Sequence, residues 1–372
     1  MTLTIAVLLA VVALAYANGA NDNFKGVATL FGSGTTEFSG ALAWATVTTL
    51  MGSVTAIFLA GQLIKAFKGK GLVDESLVSD PTYVAAVALG AACTVLLATR
   101  LGMPVSTTHA MIGALLGSGL AAASSINSSI LVGKLLTPLI VSPFIAMAAT
   151  IVVYPAFKYL RTQFGVTQET CICVGSEVKE IVNLQSTPNL LLEKVEHWTL
   201  TTGSTASCNN RYSGSVLGIQ AAALLDKLHF LSAGIVSFAR GLNDTPKIAA
   251  LLLVAPAFGG FSACVAVGLV IAVGGLLSAR RVAETMSQKI TKMNPGQGFT
   301  ANALASVIII GASKLGMPVS TTHVSCGAIF GIGTINGGAR WKTIAAILIA
   351  WVTTLPLGGL LGYSSFLLLK SI

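Results

Sequence analysis

Long apolar runs, interrupted at a few places by polar clusters, make up most of the chain. In the first half they fall near 2–17, 39–64, 82–99, 104–124 and 130–157. In the second half they fall near 214–238, 258–279, 299–313, 318–336 and 343–370. The runs are continuous rather than alternating, which predicts helices and argues against a barrel. A single membrane crossing needs about 20 residues. The first run of each half continues past a polar patch, to about residue 31 and through Ile248 to Pro256. Each of these stretches is expected to be a helix broken in mid-membrane, or two helices. The runs at 82–99 and 104–124 meet at Gly102-Met103-Pro104, and those at 299–313 and 318–336 at Gly316-Met317-Pro318. Proline disfavours helix at the residue before it and tends to occupy the first position of the next helix. Each second helix is therefore expected to carry a Ser-Thr-Thr group in its first turn.

The two halves are copies of one unit. Leu101–His109 recurs letter for letter as Leu315–His323, and Gly19-Ala20-Asn21-Asp22 with Lys25 returns as Gly241-Leu242-Asn243-Asp244 with Lys247. Matched polar interruptions in a duplicated apolar chain are the mark of a secondary transporter. The expected architecture is an all-α integral membrane protein of two inverted-topology repeats. Broken helices and hairpins would meet near the membrane midplane, with about 10–12 transmembrane segments. The first repeat covers 1–157, a connecting loop 158–212, and the second repeat 213–372. The loop is too polar to span and holds Glu169, Glu177, Glu180, Glu193 and Glu196, with a short helix expected over 176–195. Met1–Ala17 has no basic residue ahead of its apolar run, unlike a signal peptide, and reads as part of the working protein.

Composition agrees. The chain is 54% hydrophobic and 9% charged, against about 25% charged in soluble domains. The net charge of +9 fits basic cytoplasmic loops, and no Lys/Arg cluster interleaved with aromatics supports nucleic-acid binding. With five crossings per half, Lys158 and Arg161, then Arg280, Arg281, Lys289 and Lys292, then Arg340 and Lys342 fall on one side. That side is expected to be cytoplasmic, together with the connecting loop, and both termini to lie outside the cell membrane. Lys65, Lys68 and Lys70 fall on the opposite side. Of the six cysteines, Cys93, Cys264 and Cys326 sit in apolar runs and read as small hydrophobes. Cys171-Ile172-Cys173 lacks the paired spacing of a zinc site and is read as ordinary thiols, with a disulfide from Cys208 to this pair left open.

The chemistry concentrates in the duplicated patches. A carboxylate at membrane depth is costly unless paired or hydrated. Asp22 and Asp244, with Asn21 and Asn243, offer oxygens to a hard monovalent cation such as sodium, and the carboxylates alone would equally suit a proton. Asn18 lies one turn before Asp22 and adds to that site, whereas its counterpart is Arg240, so the two cation sites differ. The plainer reading pairs Asp22 with Lys25 and Asp244 with Lys247 one turn away. Ser106, Thr107 and Thr108, and Ser320, Thr321 and Thr322, stand at helix starts, where free N–H groups and a partial positive charge suit phosphate or sulfate. Simple helix capping by Ser or Thr is the competing reading. Asn21 and Asn243 are assigned to this anion site as well, with Lys25 and Lys247 balancing charge. His109 and His323 are read first as packing residues, with proton carriage or anion donation as the other choices. Gly113-x-x-x-Gly117 and Gly327-x-x-x-Gly331 are read as close helix packing.

At these residues the chain resembles the inorganic phosphate transporter family. The resemblance rests on Gly19–Asp22, Gly241–Lys247, Pro104–His109 and Pro318–His323, and spans nearly the whole chain except the connecting loop. It departs at Asn23-Phe24-Lys25, where many members carry small residues and Asn. The resemblance implies symport of inorganic phosphate with sodium or protons, within an inverted-repeat helical fold surrounded by membrane lipids, and assembly as homodimers. Some members of the family carry sulfate. Sodium is the expected coupling ion, with no organic cofactor. A passive anion channel would need a continuous polar lining rather than four patches. A phosphoryl-transfer enzyme would show a P-loop or metal-cluster signature, and neither occurs, so no enzymatic activity is expected.

Overall fold

The structure is a computed structural model that describes residues 2–59, 61–67, 71–167, 169–182, 192–204, 207, 217–255 and 257–371. It divides into two compact units, residues 1–154 with 229–372, and residues 155–228.

The first unit is helical. Helix α1 (Thr2–Asp22) tightens into a 3-10 turn at Asn23–Val27 and resumes as α2 (Ala28–Gly32). It is followed by α3 (Phe38–Leu59), α4 (Gly61–Phe67), α5 (Glu75–Val78), α6 (Pro81–Arg100) and α7 (Thr107–Ala121). A wide turn at Ile130–Leu136 leads into α8 (Thr137–Gln163). The second half begins with α9 (Ala221–Leu252) and continues through α10 (Gly260–Ser278), α11 (Arg280–Glu284), α12 (Pro295–Lys314), α13 (Thr321–Ile335) and α14 (Trp341–Lys370). The expected interruption therefore occurs only in half one. Helix α9 runs unbroken through Asn243-Asp244 with Pro246 inside it. A kink-prone sequence is here carried by a helix buried throughout its second half, where neighbours hold it.

Seven helices among the described residues are long and apolar enough to cross a membrane. They are Leu3–Gly32, Phe38–Leu59, Pro81–Arg100, Ile130–Gln163, Ala221–Leu252, Gly260–Ser278 and Trp341–Lys370. Helices α7 and α13 have 15 residues each. At about 1.5 Å per residue they are near 22 Å long, short of a hydrocarbon core of about 30 Å. Each is instead the returning arm of a hairpin, α6–α7 in half one and α12–α13 in half two.

The hairpin turns follow from their sequence. Gly102 and Gly316 both have φ +68. The N–H of Met103 donates to Ala98 O and that of Met317 to Ala312 O, both at 2.9 Å, closing a left-handed glycine cap. Pro104 and Pro318 then stand outside the next helix rather than at its first position. Ser106 and Ser320 are the N-caps, accepting from the backbone N–H of His109 at 3.1 Å and His323 at 3.2 Å. The small-residue stripes pack as expected. A Cβ on Gly117 would meet the Gly359 carbonyl of α14, and one on Gly327 the Pro143 carbonyl of α8. Each hairpin arm thus packs on the last long helix of the opposite half.

The second unit carries an antiparallel three-stranded sheet in the order β2-β1-β3. Its strands are β1 (Thr170–Val182), β2 (Leu192–Ser204) and β3 (Leu217–Gln220), with Cys173 opposite Thr201. In place of the helix expected over 176–195, residues 176–182 belong to β1 and 192–195 to β2, and the rest of that expectation lies outside the described residues. Burial alternates along β1, with Cys171, Cys173 and Gly175 inside and Ile172 out, a period of two that β-branched residues favour. The Glu and Lys content of the segment masked this alternation. Cys171, Cys93, Cys264 and Cys326 are free thiols, whereas Cys173 is disulfide-bonded. The expectations for Cys208, Lys68 and Lys70 lie outside the described residues.

Candidate substrate and cation site

Every candidate residue from the four sequence patches is brought to one buried locus between the halves. The end of α1, the middle of α9 and the N-termini of α7 and α13 converge there. Two glycines permit the convergence. A Cβ on Gly19 would stand 1.9 Å from the Ile271 carbonyl oxygen, and one on Gly241 2.1 Å from that of Thr49. No side chain fits at either contact.

Lys25 Nζ is the hub of one cluster. It donates to Asn21 Oδ1 at 2.7 Å, Val105 O at 2.8 Å and Thr322 Oγ1 at 2.7 Å, and pairs with Asp22 Oδ1. Lys247 Nζ repeats the pattern with Asp244 Oδ1 at 3.2 Å, Val319 O at 3.0 Å, Thr108 Oγ1 at 2.9 Å and Asn243 Oδ1. Each lysine therefore contacts its own carboxylate and the helix start of the other half. The second oxygen of each carboxylate accepts from a threonine, Asp22 from Thr107 at 2.9 Å and Asp244 from Thr321 at 3.0 Å. The amide groups of Asn21 and Asn243 are held by Thr99 and Ser313, at 2.9 and 2.8 Å. The pairing of Asp with its own Lys, the plainer alternative, is thus present at both sites.

The two clusters differ at the positions that the sequence marks as unequal. Asn18 donates its amide N–H to Asp22 Oδ2 at 2.8 Å and to Thr107 at 3.0 Å, so it is the nitrogen that meets the carboxylate. Arg240 brings Nη2 to 3.9 Å from Asp22 Oδ1. Its Nε and Nη1 are buried without a hydrogen-bond partner, although the residue is 3% exposed. Sequence reasoning placed no ligand role on Arg240; its position opposite Asn18 in the duplicated unit was the available signal. Five ionic side chains are buried here: Asp22, Asp244, Lys25, Lys247 and Arg240. Three cations against two carboxylates leave one excess positive charge.

Behind the helix starts, His109 and His323 meet edge to face at 4.6 Å, and His323 stacks on Trp351 at 3.8 Å. His323 Nδ1 lies 3.3 Å from Leu139 O, while His109 Nδ1 and His323 Nε2 have no partner. A second polar cluster, unmarked in the sequence, links His229 Nε2 to Thr29 Oγ1 at 3.0 Å and Asn302 Nδ2 to the same oxygen at 2.7 Å. No group of three or more His, Cys, Asp or Glu residues suited to a metal ion occurs among the described residues.

A model of the phosphate transporter family matches residues 18–362. A "probable low-affinity inorganic phosphate transporter" of Rhizobium meliloti (strain 1021) is 27% identical over 375 residues, covering 97% of this chain and 96% of the relative. A protein of the same description from Bacillus subtilis (strain 168) is 25% identical, covering 100% and 98%. The solved structure of a sodium-dependent phosphate transporter is similar over 100% of both chains, with a TM-score of 0.75 at 19% identity, a likeness of fold. With the family match spanning both polar patches of each half and the apolar helices around them, this multi-pass membrane protein belongs to the phosphate transporter family.

Proposed function

We propose that the chain is a cation-coupled symporter of inorganic phosphate, with sodium as the coupling ion, working by alternating access around the buried locus. The observation that carries this reading is the pair of crossed lysine clusters, each joining a carboxylate–amide set of one half to the helix start of the other. Asp22, Asp244, Asn21 and Asn243, with Asn18 beside Asp22, are the cation residues. Ser106, Thr107, Thr108, Ser320, Thr321 and Thr322 are the phosphate residues, with Asn21 and Asn243 at the border between the sites. They stand at helix starts of positive polarity, where hydroxyls and backbone N–H groups are the donors that an anion takes. Arg240 adds a guanidinium with unused donors, a group well matched to phosphate oxygens.

Electrostatics supports the coupling. The excess positive charge favours an anion even before sodium arrives. A sodium ion beside the carboxylates strengthens that attraction, and the anion strengthens sodium binding by the same factor. The sodium-dependent fold neighbour favours sodium as the ion. The proton is the second reading, favoured by the ammonium groups that occupy both carboxylate sets.

Two inverted repeats, 1–157 and 213–372, with a cytoplasmic connecting segment and external termini in the cell membrane, complete the proposal. Lys289, Lys292 and Arg340 line one polar basin, as expected if these basic clusters share the cytoplasmic face. Titration of the purified protein with phosphate, with and without sodium, tests the function. Phosphate should bind more tightly in sodium, and sodium more tightly in phosphate, by one factor. Phosphate affinity indifferent to sodium would remove sodium from the reading.

A further inference from the structure

Each lysine nitrogen at the site lies within reach of more oxygens than it has hydrogens. Around Lys25 Nζ stand Asn21 Oδ1, Asp22 Oδ1, Val105 O and Thr322 Oγ1, and around Lys247 Nζ stand Asn243 Oδ1, Asp244 Oδ1, Val319 O and Thr108 Oγ1. An ammonium has three N–H donors. Four oxygens converging from three chain segments, one of them a carboxylate, form a cage of the kind that hard cations take. The same composition appears twice. In both cages the hydroxyl belongs to the first turn of a hairpin helix, Thr322 in α13 and Thr108 in α7. An anion held at that helix start is therefore a neighbour of the ammonium that fills the cage.

We propose that Lys25 and Lys247 are internal competitors for the two cation cages and act as the coupling switch of the transporter. This rests on the reading of the locus as a site for phosphate and a cation. Without phosphate, each ammonium fills its cage and keeps sodium out. Bound phosphate draws the ammonium towards itself, a short displacement for a flexible four-carbon stem. The cage oxygens then pass to sodium. A buried carboxylate left without any cation is strongly disfavoured. Phosphate alone therefore cannot hold the lysine away from Asp, and sodium alone cannot expel it. Each ligand favours the arrangement that admits the other, which is the condition for coupling. The cages are unequal. Arg240 lies 3.9 Å from Asp22 Oδ1 and repels a second cation there, so the Asp244 cage is the stronger sodium site.

The test is equilibrium binding of radioactive sodium to the purified full chain, with and without inorganic phosphate, alongside phosphate binding on the same samples. Wild-type protein should bind sodium about tenfold or more tightly in phosphate, within the usual range of coupling. Lys247→Met should bind sodium without phosphate, with the dependence on phosphate lost, and Lys25→Met should show a smaller change of the same kind. Wild-type protein that binds phosphate but shows unchanged sodium affinity overturns the switch and leaves the phosphate site standing. So does a folded Lys247→Met variant that keeps the wild-type dependence. Wild-type protein that binds no phosphate overturns both the switch and the reading beneath it. The wild-type comparison needs no variant to fold.

Discussion

Lys25 of the first half donates to the hydroxyl of Thr322 in the second, at 2.7 Å. Lys247 returns the contact to Thr108 at 2.9 Å. The two halves are thereby tied at their chemical centre as well as through their packed helices. Removing either hydroxyl takes a donor from the proposed phosphate site, and hydrogen bonds to charged groups contribute about 1.5–3 kcal/mol. Thr322→Val and Thr108→Val are each expected to raise the phosphate concentration for half-maximal uptake by about tenfold or more. Uptake assays across a phosphate series check this; unchanged half-saturation in both would contradict the assignment.

Asp22 accepts from Asn18, Thr107 and Thr322 and pairs with Lys25, whereas Asp244 is held by Thr321 and Lys247. Breaking a buried ion pair by neutralising one partner costs about 3–5 kcal/mol. Asp22→Asn and Asp244→Asn should each abolish coupled uptake, with the larger fall in Tm at Asp22. Melting curves and uptake on the same preparations test both parts, and normal uptake by the two variants would remove the carboxylates from the cation site.

Arg240 is expected to separate binding from stability. Its Nε and Nη1 have no protein partner and its Nη2 meets Asp22 only at 3.9 Å, so replacing it takes away a buried cation that is poorly satisfied. Arg240→Gln should leave the ligand-free Tm unchanged or higher and weaken phosphate binding by about tenfold or more. Phosphate affinity equal to wild type would show the guanidinium to be a structural charge only.

Outside the membrane-spanning helices, Asp74 ties the loop before α5 to the segment that follows α7. Ser125 Oγ donates to Asp74 Oδ1 at 2.8 Å and Ser124 Oγ to Asp74 Oδ2 at 2.9 Å, and these hydrogen bonds hold its carboxyl below the usual range. The folded pKa lies below the unfolded value of about 3.9. The tie is therefore fully present above that value and is lost as pH falls through the folded pKa. Protection of the Ser125 amide, which donates to Asp74 Oδ2, should fall relative to its intrinsic exchange rate below about pH 4, and this step should be absent in Asp74→Asn. Identical pH profiles in the two proteins would contradict the tie.

The parts of this architecture written in short motifs were legible before the fold was known. Gly102-Met103-Pro104-Val105-Ser106 and its copy specify a helix cap, a turn and a second cap in sequence order, and the duplication showed that they act as a pair. The convergence of Asp22, Asn21, Thr107 and their counterparts was likewise readable, because each is a polar residue stranded in an apolar run. What periodicity could not supply was the crossing between halves. No local pattern says that Lys25 points to Thr322 rather than Thr108, since that depends on how the turn at Asn23–Val27 and α13 meet. Arg240 escaped for the same reason. Its unpartnered nitrogens are a property of the packed site, whereas the sequence shows only that it stands where the first copy has Asn18. The strands at 170–182 and 192–204 are hidden in the sequence because Glu177, Glu180, Glu193 and Lys194 suggest an exposed helix, while the alternation of Cys171, Cys173 and Gly175 is decided by which face becomes buried.

Accumulation of radiolabelled phosphate by proteoliposomes is the direct test of sodium-coupled symport. The vesicles would carry an inward sodium gradient, an inward proton gradient, or neither. Phosphate should accumulate above equilibrium with the sodium gradient and lose that accumulation when the gradient is collapsed. Accumulation driven by the proton gradient alone, or equilibration indifferent to both gradients, would contradict it.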